Sequence, residues 1–124
     1  MAANKLVHFG PVALSNTLTT NILNPGTTTG GVGMPATSTN LYFVLRHIRI
    51  VNKTAGAVTF TLYLGATGAN AAGTEVIGTA YSVAANSAFD WYGILTLDIA
   101  DFLVGGASAA TSLTFQAEGE VGIR

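Results

Sequence analysis

The sequence predicts an all-β fold: a single antiparallel β-sandwich with an extended N-terminal arm. Turn-forming residues recur about every 8 to 12 positions between short apolar segments, which is the strand spacing of sandwiches and barrels. Val58, Phe60, Leu62 and Leu64 alternate with Thr and Tyr, as in a strand with one buried face. A chain of 124 residues is typical of one domain with its own core.

The first 40 residues differ in composition from the rest. They contain one lysine and no acidic residue, and their later part is rich in Gly, Pro and Thr, which is typical of a link. Leu14, Leu18 and Ile22 have a spacing that suits a helix, but the Thr and Asn between them disfavour one. Their even positions place them on one face of an extended strand. We therefore expect an arm and link over 1–40 and a β-sandwich over 41–124.

The strands of the sandwich begin with a long apolar segment at 41–52. A turn at 53–56 follows, and then an alternating strand at 58–64. Because the turn is short, we expect these two strands to pair as an antiparallel hairpin. A small-residue loop comes next. Further short strands are predicted at 75–83, 88–97, 103–104, 113–117 and 121–123, with one helical turn at 97–102.

The low charge of the chain excludes several classes of function. Charged residues make up 9% of the sequence and the net charge is −1, whereas about 25% is usual. No basic cluster is large enough to bind nucleic acid, and no apolar run approaches the roughly 20 residues that a membrane span needs. With little ionic repulsion between copies, we expect self-association or docking on a larger body.

The candidate chemical residues do not form a catalytic pattern. His8 and His47 lie in different regions without a Ser or acid in a recognisable arrangement, so we expect no enzyme and no catalytic residue. Asp98 and Asp101 with Asp90 are candidate calcium ligands, but the segment 98–101 lacks the dense Asp/Asn/Gly loop of calcium sites, and a turn capped by aspartates is the better interpretation. The sequence therefore predicts no metal, no cofactor and no small-molecule substrate.

An aromatic group at 89–92 allows two interpretations. Phe89 and Trp91 share one strand face, which favours packing in the core. The alternative is a carbohydrate-binding module, in which Trp91 and Tyr92 offer their rings to sugar faces.

The basic cluster lies in and after the strand at 41–52. Alternation places His47, Arg49 and Lys53 on one face and Arg46 on the other. This stripe suits an acidic protein surface, or else consists of solvated charges that blunt a sheet edge.

The segment Leu-Tyr-Phe-Val-Leu-Arg-His-Ile-Arg-Ile-Val-Asn-Lys-Thr-Ala-Gly-Ala-Val-Thr-Phe-Thr-Leu-Tyr-Leu-Gly at 41–65 resembles small virion proteins of tailed bacteriophages. The resemblance spans 41–124 and includes Ile-x-Ile-x-Asn at 48–52, Val-Thr-x-Thr-Leu-Tyr at 58–63 and Asp-x-Leu at 101–103, with Ala100 where Gly is common. It implies one β-sandwich, often jelly-roll-like, on the capsid, neck or tail. It implies no catalytic residues.

Composition and resemblance together predict a capsid decoration or cement protein, made in the bacterial host cytoplasm and located on the virion. Its expected partners are the major capsid protein and copies of itself in a homotrimer. Two contributions would hold the protein on the capsid: burial of apolar area, at about 25 cal/mol per Å², and addition of the arm to a neighbour's sheet edge. The expected arm contacts are Leu6, Val7, Phe9, Leu14, Leu18 and Ile22, and the expected polar anchor is His47, Arg49 and Lys53. A neck, tail or head-fibre component is the nearest alternative.

Overall fold

A computed structural model of the chain describes residues 4–26 and 41–123. These residues form eight strands: β1 (Lys5–Ala13), β2 (Asn21–Leu23), β3 (Leu41–Asn52), β4 (Val58–Gly65), β5 (Tyr81–Val83), β6 (Ser87–Leu97), β7 (Phe102–Ala107) and β8 (Leu113–Ile123). Within these two ranges there is no helix of the length and apolarity needed to cross a membrane.

The strands make two antiparallel four-stranded sheets. The first sheet has the order β1-β8-β3-β6 and the second has the order β2-β7-β4-β5. Apolar side chains between the two sheets form one core. The predicted class, an antiparallel β-sandwich, is therefore confirmed.

The predicted hairpin between β3 and β4 is wrong. β3 has the expected bounds, but it pairs with β8 on one side and β6 on the other, whereas β4 pairs with β7 and β5 in the opposite sheet. Each strand has one apolar face, and two such strands can also stack face to face across a core. The short turn after Asn52 therefore carries the chain from one sheet to the other.

The predicted division of the chain at residue 40 is also wrong, because 5–23 belongs to the sandwich. β1 pairs with β8 from Lys5 opposite Val121 to Ala13 opposite Thr114, and β2 pairs with β7. The N-terminal strands thus complete one edge of each sheet and are not an arm. Most of the predicted link, 27–40, lies outside the described residues.

Three of the predicted arm contacts lie in the core of their own chain. Phe9, Leu14 and Ile22 are buried, and the Phe9 and Phe43 ring centroids are 4.7 Å apart. Burial inside the sandwich removes these side chains from contact with another chain, so their assignment to an interface is wrong. The expected continuous strand through Leu18 is also wrong, because Leu18 is exposed in a turn between β1 and β2.

The remaining elements differ in detail from the sequence prediction. The two short strands expected after residue 112 are the single strand β8, and the strand expected at 75–83 is reduced to β5 and a bridge from Glu75 to Tyr63. The helical turn expected at 97–102 is not a helix. The Asp98 amide instead donates to Asp101 Oδ2 at 2.9 Å, which confirms the aspartate-capped turn.

Loops cover the outer face of the second sheet. The segment after Leu14 lies so close to β7 that a Cβ at Gly106 would be 2.6 Å from the carbonyl oxygen of Ser15. Tyr63 and Val104 are buried although they do not belong to the core between the sheets. On the outer face of the first sheet, by contrast, polar side chains gather, and Tyr92 there is 72% exposed.

Candidate functional site

The outer face of the first sheet carries a large share of the charge. The chain has five Lys or Arg and six Asp or Glu residues, and five of these eleven are on this face together with both histidines. We call this surface the polar face. Its side chains are those of His8, Arg46, His47, Arg49, Asp90, Tyr92, Gln116, Glu118 and Glu120.

Strand register aligns these side chains in two rows across the sheet. In the first row, Glu118 of β8 lies between His8 of β1 and His47 of β3, and Tyr92 of β6 follows His47. In the second row, Arg49 lies between Gln116 and Asp90. Directly opposed residues on neighbouring strands have Cβ atoms about 5 Å apart, so each row is a set of neighbouring side chains.

A β-bulge turns Arg46 to the same side as His47. The register shifts between Leu45 and His47 in both pairings of β3, while Leu45 and Ile48 are both buried. An extra residue in a strand reverses the alternation beyond it. The prediction that Arg46 points to the other face is therefore wrong.

Asp90 is the centre of a hydrogen-bonded ion group. Its Oδ1 accepts from Arg49 Nε at 2.8 Å and lies 2.7 Å from His47 Nε2, and its Oδ2 accepts from Arg49 Nη2 at 3.3 Å. The Arg49 bonds, and after them the His47 bond, lower the pKa of Asp90 to about 2, and the same contact raises the pKa of Arg49. The bonds to Asp90 thus hold the side chains of His47 and Arg49 in place on the surface.

A second ion pair lies at the bulge. Arg46 Nε donates to Glu120 Oε2 at 2.7 Å, and Asn4 Nδ2 donates to Glu120 Oε1 at 3.2 Å. Tyr42 donates its hydroxyl to Asn4 Oδ1 at 3.0 Å. The Arg46 bond, followed by the Asn4 bond, lowers the pKa of Glu120. Exposed pairs of this kind contribute little to stability, so their effect is mainly to hold the side chains in place.

A shallow groove runs along the polar face. Its polar part has a volume of about 410 Å³ and is lined by His8, His47, Arg49, Tyr92, Gln116 and Glu118. An adjoining part of about 390 Å³ shares His8, His47 and Glu118 and adds Leu6, Val7 and Arg46. One end of the groove is therefore rich in hydrogen-bonding groups, and the other has apolar walls.

The predicted interface residues fall into separate places. His47 and Arg49 meet at Asp90, and Leu6 and Val7 line the apolar part of the groove. Lys53 is exposed in the turn after β3 and forms no ion pair with any residue that the structure describes. The predicted three-residue basic stripe is thus reduced to two residues of the polar face.

Gln116, Glu118 and Glu120 were missed as members of the site. They alternate along β8 with buried Phe115 and Ala117 and with the glycine at 119, and this period of two is a signal that the sequence contains. Their position opposite β3 depends on the pairing of β8, which the sequence does not specify.

The aromatic side chains of β6 point in opposite directions. Phe89 and Trp91 pack against the core, as the sequence predicts. Tyr92 is 72% exposed and stacks on His47, with ring centroids 4.7 Å apart and an angle of 11° between the planes. A sugar platform made of Trp91 and Tyr92 together is therefore wrong, and Tyr92 alone is available.

No group of three His, Asp or Glu residues within 4–26 and 41–123 is placed to hold a metal ion. Neither the protein-family models nor the curated proteins include a match to this chain.

Proposed function

We propose that this chain is a structural virion protein of a tailed bacteriophage, which binds the outer capsid surface as a trimer and stabilises the shell. The strand order carries this proposal. The orders β1-β8-β3-β6 and β2-β7-β4-β5 support a jelly roll, an eight-stranded arrangement of two Greek keys that viral capsid domains use. The phage-like segment at 41–65 supports the same assignment.

The surface of the sandwich suits contact with other proteins. Leu6 is 86% exposed on β1, and Ile94 is 69% exposed on β6, the two edge strands of the first sheet. Each Å² of apolar area covered by a neighbour contributes about 25 cal/mol. Few charged groups would lose water in such a contact, because only 9% of the residues are charged.

The mode of attachment differs from the one that the sequence predicts. β1 and β2 pair inside their own sheets, so they are not a detached arm, and as edge strands each has a partner strand on one side only. Attachment is assigned instead to the exposed predicted residue Leu6, with Val7 beside it in the groove and Leu18 at the turn before β2.

The direct test is to locate the chain in purified particles of the phage that encodes it. Electron cryomicroscopy and quantitative mass spectrometry should find many copies distributed over the capsid shell. A ring or fibre of few copies would instead identify a neck, tail or head-fibre component, and absence from the particle would refute the virion role. Light scattering of the purified protein should give the mass of three 12.7 kDa chains; a monomer would refute the trimer.

A variant then tests the surface. Leu6→Asp places a charge at an exposed apolar position and should reduce capsid occupancy without unfolding the sandwich. Ala72→Asp, which adds the same charge at an exposed loop position, is the control and should bind normally. Equal occupancy of the two variants would contradict the assignment of Leu6 to the interface.

A further inference from the structure

Tyr92 presents an uncovered aromatic ring beside a polar cavity. His47 stacks on the ring, and 72% of the residue is still exposed to solvent. An aromatic ring has an apolar face, whereas a tyrosine at the protein surface also keeps a polar hydroxyl. A sugar has the matching pair of features, since its C–H groups form an apolar face and its hydroxyls project from the edge.

The cavity next to Tyr92 has unused hydrogen-bonding capacity. The Glu118 carboxylate accepts no hydrogen bond from the described residues. Arg49 uses Nε and Nη2 on Asp90, which leaves Nη1, and Gln116 uses Oε1 toward His8 Nε2, which leaves its amide NH₂. One acceptor and two donors therefore line the same cavity, and hydroxyl groups, which both donate and accept, can satisfy all three.

Charge limits the class of ligand. The polar face has two guanidinium groups, Arg46 and Arg49, against three carboxylates, Asp90, Glu118 and Glu120. With neutral histidines its net charge is negative, and both guanidinium groups are already paired. An acidic glycan or a phosphate would face the unpaired Glu118 carboxylate, so the charge pattern favours a neutral ligand.

The cavity is also of suitable size. Small-molecule sites in proteins usually have volumes of about 300 to 1,000 Å³, and the polar part of the groove measures about 410 Å³. The apolar part beside Leu6, which is assigned above to capsid contact, is not part of this site.

We propose that the polar part of the groove is a binding site for neutral carbohydrate. Tyr92 provides the stacking surface, and Arg49, Gln116 and Glu118 bind the hydroxyl groups. Asp90 is a positioning residue, since it holds His47 behind the Tyr92 ring and Arg49 at the edge of the cavity. This site is independent of the virion role and is tested on the isolated chain.

The test uses the full chain and named neutral probes: glucose, galactose, mannose and N-acetylglucosamine, free and as an immobilised oligosaccharide array. Binding is measured by saturation-transfer NMR and calorimetry. Tyr92→Ala should weaken binding about tenfold or more, because the stacking surface is lost. Tyr92→Phe should bind almost as the wild type does, and Glu118→Gln should bind more weakly. Ile94→Ala, an exposed change on the same strand outside the polar part of the groove, is the matched control.

Several results would overturn the proposal. One is no binding of the wild type to any neutral probe on the array. Another is undiminished binding by Tyr92→Ala, or equal losses in Tyr92→Ala and Ile94→Ala. A preference for acidic sugars would refute the neutral class. Light scattering of the same samples must show an unchanged mass. A change of oligomeric state in Tyr92→Ala would indicate that this face is a protein interface and not a sugar site.

Discussion

The side-chain amide of Asn52, at the end of β3, donates a 3.0 Å hydrogen bond to the carbonyl oxygen of Val83 in β5. The same Nδ2 donates to Gly56 O at 2.9 Å, and Oδ1 accepts from the backbone N–H and the hydroxyl of Thr54 at 2.9 and 2.7 Å. One buried side chain thus shapes the turn after β3 and joins the two sheets. It is also the Asn of the phage-like motif at 48–52.

Asn52→Ala should therefore destabilise the fold by about 3 kcal/mol, because it leaves buried polar groups of the turn and of β5 without partners. Urea unfolding followed by circular dichroism measures the loss, and the slope of the transition should be unchanged. Asn70→Ala, an exposed change in a loop, should be within about 0.5 kcal/mol of the wild type. A cost below about 1 kcal/mol for Asn52→Ala would show that water replaces these bonds.

Two apolar residues of β1, one buried and one exposed, test the contribution of core packing to stability. Phe9 is fully buried against Phe43, whereas Leu6 is 86% exposed three residues earlier. Phe9→Ala should cost about 3 to 5 kcal/mol because it opens a cavity between the sheets. Leu6→Ala should change the unfolding free energy by no more than about 0.5 kcal/mol. Similar costs at the two positions, measured by urea unfolding, would contradict the burial of β1.

Deletion of residues 1–13 tests whether the N-terminal region belongs to the sandwich. The deletion removes β1, which exposes the edge of β8 and takes Phe9 out of the core. The shortened chain should lose cooperative thermal unfolding, and its amide NMR signals should lose their dispersion. If the shortened chain still folds, the result would support the prediction, made from the composition of 1–40, that this region is a separate arm.

The sequence predicts strands well and their partners poorly. The apolar segment at 41–52 and the alternation at 58–64 locate β3 and β4. A strand with one face toward the core has apolar residues at alternate positions, and this pattern is visible in the sequence. Periodicity does not record which strand lies beside which. The pairing of β1 with β8 joins residues more than 100 positions apart, and it depends on the whole set of strands competing for two sheets.

The polar face shows the same limit. His47 and Arg49 stand out in the sequence because ionisable side chains are rare in this chain and these two lie close together on one strand. Asp90 was identified too, but as one of three aspartates considered for a calcium site, and only the register of β3 with β6 brings it to both of them. The bulge that turns Arg46 outward leaves a trace in the sequence, because two polar residues, Arg46 and His47, follow each other between apolar Leu45 and Ile48, but a prediction based on regular alternation misses it.

Acid should weaken the fold partly through Asp90. Its pKa falls from 3.8 in the unfolded chain to about 2 in the folded one, so the unfolded chain binds the proton more tightly. This contribution to stability is complete above the unfolded pKa and is lost as the pH falls from about 4 to about 2. Asp90→Asn should therefore flatten the dependence of the unfolding free energy on pH in that range.

The acid prediction is checked by urea unfolding at several pH values and by NMR titration of the Asp90 carboxyl group. Glu75→Gln, a change in a loop away from the polar face, should leave the Asp90 contribution in place. An Asp90 that titrates near 3.8, or identical pH profiles for wild type and Asp90→Asn, would show that the bonds to Arg49 and His47 do not persist in solution.

The single tryptophan reports on the packing of β6. A Cβ at Gly93 would lie only 2.6 Å from Cζ2 of the Trp91 ring, so the ring covers the glycine. Gly93→Ala should push Trp91 outward, shift its fluorescence to longer wavelength and cost about 1 to 2 kcal/mol, because the overlap exceeds the small gain of replacing glycine in a strand. A Cβ at Gly56 would have open space around it, so Gly56→Ala should change neither the tryptophan emission nor the unfolding free energy. Since the chain has no other tryptophan, unchanged emission from Gly93→Ala would mean that the ring does not lie over Gly93.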